Sequence, residues 1–301
     1  MIKKILKVLG GLLGAGLLVA VLAFVQIWYF KPFSIDIFFE KAFLKFVLDD
    51  PETLSGLRIL EPMGIDYHND DLTDISVKRQ HELAEQVRKD LDTLRSYDRA
   101  KLDENHQVSY DTLDWFLQNQ VDGEPWMFHN YPINQLFGLQ SEMPDFMINI
   151  HQVNDAETAR DYVARLGKFK WKFDQMMEGL KLREEKGIIP PNFTVVKVLE
   201  QMRGFAKPDP KGNVLYTHLR DELAKLDKVP QAERDEILAS AEKAITDSVL
   251  PSYAELIAYF EALQPKATAN NGVWALPDGE KFYAWCVRNH TTTEYTPEQL
   301  H

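Results

Sequence analysis

The sequence predicts an all-α protein, a multi-helix domain preceded by one transmembrane helix. Three observations carry this. An uncharged run from Val8 to Phe30 opens the chain. Behind it, stretches with apolar residues at helical spacing follow one another, separated by turns that contain Pro or Gly. No period-two stretch, βαβ alternation, glycine-rich phosphate loop or internal repeat accompanies them. Residues 1–31 read as a cytoplasmic N-terminus and membrane anchor, and residues 32–301 as the helical domain.

The run from Val8 to Phe30 covers 30 − 8 + 1 = 23 residues. At about 1.5 Å per residue it makes roughly 34 Å of helix, enough for a hydrocarbon core of about 30 Å. Trp28 and Tyr29 stand where an interfacial aromatic belt belongs, and Lys31-Pro32 closes the span. Lys3, Lys4 and Lys7 precede it and Lys31 alone follows. That asymmetry puts the N-terminus in the cytoplasm and the body outside, as a single-pass membrane protein. A cleaved signal peptide is the competing reading, with Val21-Leu22-Ala23 as its cleavage site. The apolar run continues past Ala23, longer than a signal core of about 7–15 residues, so the uncleaved anchor is preferred. Gly10 and Gly14 have the GxxxG spacing of pairing helices, although glycine is common in any span.

Phe33 to Leu48 is amphipathic, with Ser34 as N-cap and Ile35, Phe38, Phe39, Phe43, Phe46 and Val47 apolar. A membrane-surface helix is one reading; Asp36 and Glu40 favour a core helix instead, because surface helices prefer Lys and Arg. Leu54 to Asp74 reads as irregular. Its run Asp66, His68, Asp70, Asp71, Asp74 lacks the Gly and Glu of a calcium loop and reads as solvated. Ile75 to Arg95 carries Leu83, Val87, Leu91 and Leu94 at helical spacing. His81-Glu82 with Glu85 is HExxE; a zinc helix needs a second His at i+4, so this is a surface helix start. Glu104 to Gln120 is a helix packed through Val108, Leu113, Trp115 and Phe116.

Gly123 to His151 changes character. Pro125, Pro132, Gly138 and Pro144 punctuate it, Trp126, Phe128, Tyr131, Phe137 and Phe146 enrich it, and Asn130, Asn134, Gln135 and Gln140 supply amides. A long aromatic loop of this kind is either a packed lid or a binding wall. Asn154 to Lys186 then reads as one long helix, capped by Asn154 or Asp155. Its stripe is Ala159, Tyr162, Val163, Leu166, Phe169, Phe173, Met176, Met177 and Leu180, and Gly187 stops it. Asn192–Phe205, Asn213–Leu226 and Gln231–Leu263 complete the helical run, the last interrupted at Pro251.

Apolar residues make up 45% and charged residues 27% of the 301-residue chain, which speaks against global disorder. The net charge of −12 speaks against a nucleic-acid partner, which wants a basic face. Cys286 has no second cysteine to pair with, and its aromatic helix suits a small apolar residue better than a nucleophile.

The last stretch, Gly272 to His301, joins a turn at Leu276-Pro277-Asp278-Gly279 to a short helix from Lys281 to Arg288. In that turn Gly279 is the residue free to take a positive φ. The run Thr291-Thr292-Thr293 breaks the helix. Thr296-Pro297-Glu298-Gln299 is a capping box with Pro at N1. Five residues cannot hold a helix alone, so the chain is expected to be truncated at its C-terminal end.

The order LPDG, Phe282-Tyr283, Arg288, TTT, Thr296-Pro297-Glu298 and His301 resembles the DUF885 family of bacterial proteins. Tyr131-Pro132-Ile133-Asn134-Gln135, Tyr162 to Leu166 and Ile189-Pro190-Pro191 look like further landmarks. The resemblance implies a helical metallopeptidase-like domain, represented by its N-terminal half. It implies zinc for the intact protein, with an HExxH motif that the chain does not contain up to His301. No catalytic residue and no metal ligand is therefore assigned here. What this half could supply is cleft wall and oxyanion help: Tyr283, His290, Thr291, Thr292, Thr293, Asn134 and Gln135 are the candidates. A satisfied helix end or turn is nevertheless the preferred reading for Tyr283 and the threonines, and more so for His290, and Arg288 reads as a structural ion pair. The partners implied are the bilayer, a peptide substrate and the C-terminal half of the same chain. A membrane-tethered binding or scaffold module without chemistry is the other reading.

Overall fold

The computed structural model describes residues 2–269 and 272–300. Regular structure among them is helical; an antiparallel bridge between Ile133 and Gly138 stands by itself, outside any strand. The chain divides into two compact units, Met1–Leu48 with Ala84–Val121, and Asp49–Leu83 with Asp122–His301.

In the first unit, α1 (Ile2–Tyr29) includes Leu9–Tyr29, a segment long and apolar enough to cross a membrane and buried nowhere along its length. It leads into α2 (Ile35–Leu48), where the Ser34 hydroxyl accepts from the Ile37 amide at 3.3 Å, as the sequence predicts for the cap. Ile35 and Phe38 pack with Leu91 and Leu94 of α4 (Val77–Arg95) and Leu117 of α5 (Glu104–Asp122). The exit of α1 is tied down by side chains. Lys31 donates to the Ser96 carbonyl (2.8 Å) and lies over the Tyr97 ring. The Tyr97 hydroxyl donates to the Pro32 carbonyl (2.8 Å), and Lys41 reaches back to the Phe30 carbonyl (2.9 Å). The predicted inward stripe of α2 is only half right: Ile35, Phe38 and Val47 are buried, but Phe43 and Phe46 are exposed. Likewise Leu83 on α4 and Val108 and Phe116 on α5 are exposed.

The second unit is a helical core. It contains α3 (Pro51–Leu57), α6 (Leu139–Asp145), α7 (Ala156–Gly167), α8 (Phe169–Glu185), α9 (Asn192–Ala206), α10 (Val214–Ala224), α11 (Gln231–Ala244) and α12 (Leu250–Leu263). Pairs α7–α11, α9–α12 and α8–α12 pack on one another around Tyr162, Leu166, Phe169, Val195, Leu219 and Tyr253. Each fully buried Leu- or Phe-sized side chain contributes about 1.5–3 kcal/mol, which is what holds helices of modest propensity in place.

The structure departs from the sequence reading at four places. The single helix expected over 154–186 is two, α7 and α8, because Ser248 intervenes. Its hydroxyl accepts from the Lys170 amide (2.9 Å) and donates to the Gly167 carbonyl (3.0 Å), taking both groups out of the helical ladder. Of the two caps the sequence offers, Asp155 is the one used by α7, closing a capping box with Thr158. The break expected at Pro251 is absent. α11 passes through a π-helical turn, Ile245–Val249, into α12, where Pro251 lies in the first turn and lacks only an amide the helix does not need. The stretch from Leu54 to Asp74, read as irregular, begins inside α3, whose cap is Asp50. The loop over 123–151 contains α6 and a second π-helical turn, Phe146–Ile150.

Near the C-terminal end, α13 (Gly279–Thr291) outgrows the predicted helix at both ends. Asp278, not Gly279, takes the positive φ of the LPDG turn (φ 50°). Glycine is needed at 279 for room: a Cβ there would meet the Val273 carbonyl oxygen at 2.2 Å. α14 (Pro297–Leu300) begins with the predicted capping box. The Gln299 side chain accepts from the Thr296 amide (2.8 Å), and the Thr296 hydroxyl accepts from the Gln299 amide (3.4 Å).

Candidate functional site

A cleft of about 680 Å³ opens in the second unit, and the aromatic loop builds half of its wall. Asn130, Tyr131, Asn134, Phe137, Met143 and Phe146 come from that loop and α6. The other half comes from α8 and the segments around α3 and residue 73. α8 places Lys172, Met176 and Arg183 on its inward face, at the three-to-four-residue spacing of one helical stripe.

The charged groups of the wall are fixed before any ligand arrives. Lys172 is 3% exposed and ion-paired with Glu52. Glu52 also accepts from the Thr73 amide (3.3 Å). The Thr73 hydroxyl donates to Asp50, which in addition caps α3 by accepting from the Thr53 amide (2.9 Å). Burial would raise the Asp50 carboxyl. Hydrogen bonds from Thr73 and Thr53, with the Lys172 charge, outweigh it and hold the pKa below the ordinary range. Arg183 is 5% exposed, and its partners are carbonyls and an amide. Nη2 donates to Asn130 Oδ1 (2.7 Å), Nε to the Asn130 carbonyl (3.2 Å) and Nη1 to the Gly179 carbonyl (2.9 Å). Burial lowers its pKa to about 10, so it stays charged at neutral pH. The Gln175 side chain accepts from the Ile75 amide (2.8 Å) and ties the residue-73 segment to α8.

The loop rim is held as firmly. Asn134 Oδ1 accepts from the amides of Leu136 and Phe137 (2.9 Å each), and its Nδ2 donates to the Tyr131 carbonyl (3.0 Å). Gly138 has φ 133°, and a Cβ there would lie 2.6 Å from the Pro132 carbonyl oxygen. Only glycine fits this corner.

Of the residues expected to form a cleft, Asn134 lines this one. Gln135 lies beside it, its carbonyl accepting from Gln201 (2.9 Å). Tyr283, His290 and Thr291–Thr293 are grouped elsewhere, on α13 and its end. The threonines close that helix end. Thr291 Oγ1 donates to the Val287 carbonyl (2.8 Å) and meets Thr293 Oγ1 (2.8 Å), while Thr292 takes the left-handed cap (φ 55°). His290 is exposed. Arg288 pairs with Asp122 (2.6 Å) and Glu294 (3.1 Å), the structural ion pair expected. Cys286 is half-buried and burial raises its thiol pKa, the reverse of what a nucleophile needs. His301 lies outside the described residues.

Sequence reasoning missed Asp50, Glu52, Thr73, Lys172 and Arg183. The last two carried a signal: both are charged residues at inward positions of an apolar helical stripe. Arg165, in the Tyr162–Leu166 landmark, carries the same signal. It is fully buried, donating to the Asp71 and His68 carbonyls (2.9 Å each), Ser55 Oγ (2.7 Å) and His151 Nδ1 (2.7 Å). It thereby pins α3, the loop over 68–71 and the segment at His151 to α7.

The DUF885 family model, described as a bacterial protein of unknown function, matches residues 60–301. The chain belongs to the DUF885 family. A search of curated proteins finds no match. Among solved structures, one described as "the putative lipoprotein from Colwellia psychrerythraea" superposes with a TM-score of 0.73 at 17% identity, over 85% of this chain and 46% of that one. At that identity the likeness shows the fold alone, and this DUF885 chain spans about half of that structure's length. Among the described residues no group of three or more His, Cys, Asp or Glu side chains is placed to hold a metal ion. The zinc implied by the DUF885 resemblance therefore has no holder among them.

Proposed function

We propose that this DUF885 protein is a membrane-anchored, extracytoplasmic peptide-binding body, the N-terminal part of a zinc metallopeptidase-like protein. The observation that carries the reading is the cleft. Its amide side chains, Asn130 and Gln175 among them, line a path with an apolar floor of Met143, Phe146 and Met176, and fixed charges stand on α8. An extended peptide offers backbone donors and acceptors to such amides and side chains to such a floor. The N-terminal apolar helix supports the anchor, and the lysines before it support an outside body. Peptide-bond hydrolysis belongs to this proposal only for a protein that also carries zinc ligands, and no step of it is assigned to the residues described.

The test is binding of a fluorescent random-peptide pool to the full chain in detergent micelles, followed by single peptides. Selected peptides are expected to bind, and Lys172→Met to weaken them about tenfold, the order of one charge-assisted contact. Absence of binding by every pool would sink the reading. A binding module without chemistry is the second reading, supported by the same cleft. Zinc content and peptide turnover of the native protein separate the two.

A further inference from the structure

Helix α2 has two faces, and its own unit uses one. Ile35, Phe38 and Lys41 turn inwards, and Val47 is buried at the far end. Phe33 just before it, and Phe43 and Phe46 near its end, are 67%, 52% and 65% exposed, and Leu44 beside them is exposed too. Exposed phenylalanines in such density are costly in water, since each ring buries roughly 150–250 Å² when it finds a partner.

The fold fixes how far α2 stands from the end of α1. Leu9–Tyr29 is 21 residues. At about 1.5 Å per residue it just fills a hydrocarbon core of about 30 Å, which puts Phe30 at the core's edge. Lys41 Nζ sits 2.9 Å from the Phe30 carbonyl oxygen. An extended lysine side chain reaches about 6 Å, so the middle of α2 is held within roughly 10 Å of that edge. The headgroup layer is about 5–7 Å thick on each side. Lys31 on the Ser96 carbonyl and Tyr97 on the Pro32 carbonyl close the same joint, so α2 has no freedom to rise away from the exit of α1.

We propose that α2 is a second lipid-contacting element, lying in the headgroup boundary with Phe33, Phe43, Leu44 and Phe46 in the outer acyl region. The occupant of the face is the bilayer surface, continuous with the span. This rests on the reading of α1 as an uncleaved anchor. Asp36 and Glu40, both exposed on the same side, are the obvious objection, because interfacial helices favour basic residues. The Asp36 carboxylate is hydrogen-bonded by His106 Nε2 at 2.7 Å, with Asp103 2.7 Å from Nδ1, so it is part of a network and not a lone charge. Glu40 lies one turn before Leu44, and its side chain is long enough to keep the carboxylate in the headgroup layer. The seat is apolar in character and therefore insensitive to salt.

Spin labels test this on the full chain in phosphatidylcholine–phosphatidylglycerol vesicles, in a Cys286→Ser background. Labels are placed through Phe43→Cys, Phe46→Cys, Leu18→Cys in the span and Ser109→Cys on α5 as an aqueous reference. Collision with oxygen relative to a water-soluble nickel chelate is expected to be several-fold higher at 43 and 46 than at 109, approaching 18. Nickel-accessible labels at 43 and 46, with 18 still in lipid, overturn the proposal and leave the anchor standing. Labels at 43 and 46 shielded from both reagents mean a protein partner covers the face, which also overturns it. Loss of residues 2–29 from the native protein by mass, or an aqueous label at 18, fails the anchor reading and takes this proposal with it.

Discussion

Arg165 joins loops that lie far apart in the chain, and its removal is the most damaging single change we expect. Arg165→Leu strands four buried acceptors: Ser55 Oγ, His151 Nδ1 and the carbonyls of Asp71 and His68. At about 1–3 kcal/mol for each unsatisfied group, partly relieved by water, a loss of at least ~3 kcal/mol in urea unfolding is expected. Around it, two titrations oppose each other. Burial, helped by the Arg165 charge, lowers the His151 pKa from 6.5 to about 4. The folded protein keeps this imidazole neutral, so its contribution is complete above the unfolded value and is lost as pH falls toward the folded one. Burial, with Asp70 and Glu157, raises the Asp161 pKa from 3.8 to about 6. Its contribution is present below the unfolded value and is lost as pH rises through about 6. The two slopes act across the same window and offset each other. Asp161→Asn should expose the histidine alone, stability falling by about 3 kcal/mol between pH 6.5 and 4. His151→Gln should reverse the sign. Urea midpoints that are parallel for all three proteins would refute this pairing.

At the scale of elements, the helices were legible because apolar spacing and capping residues are local. The aromatic loop was legible as a distinct stretch for the same reason, its amides and rings being contiguous in sequence, although whether it was a packed lid or a wall stayed open. What was not legible came from distance along the chain. The boundary between α7 and α8 is set by Ser248, about eighty residues away, and Gly167, the last residue of α7, is only a weak local mark of it. Ser248→Ala leaves the Lys170 amide and Gly167 carbonyl without their partner and should cost about 1–3 kcal/mol, measured by the same urea titration. Gly138→Ala forces a Cβ toward the Pro132 carbonyl at a positive φ. It should cost on the order of 1–3 kcal/mol in melting experiments and disturb the cleft rim that Asn134 holds. A variant that melts like the wild type would mean the corner relaxes freely.

Across the whole molecule, the cleft draws its wall from residues 50–52, 73–80, 130–146 and 172–183. Sequence reading found the third of these and missed the pairing of the others, since nothing local tells that Glu52 and Lys172 meet. Because the wall is so scattered, a bound ligand ties four stretches of chain together. A peptide at a hundred times its dissociation constant should therefore add about 2.7 kcal/mol to the stability of the second unit. The expected readout is a raised melting temperature together with slower proteolysis in the 123–151 loop. A peptide that binds without either effect would have to sit outside this cleft. The grouping of Ala84–Val121 with the N-terminal helices was equally hidden, because Leu91, Leu94 and Leu117 meet Phe38 only in three dimensions.

Cys286 was described above as a half-buried residue on α13 with a thiol that burial keeps protonated. That makes it a natural stopwatch. Alkylation by iodoacetamide or a maleimide is slowed by that partial cover and quickens when the C-terminal helix loosens, and the sequence holds no other sulfhydryl to blur the reading. Timed quenching followed by mass spectrometry would thus report, without any engineered probe, how often the last helices of this chain let go of their neighbours.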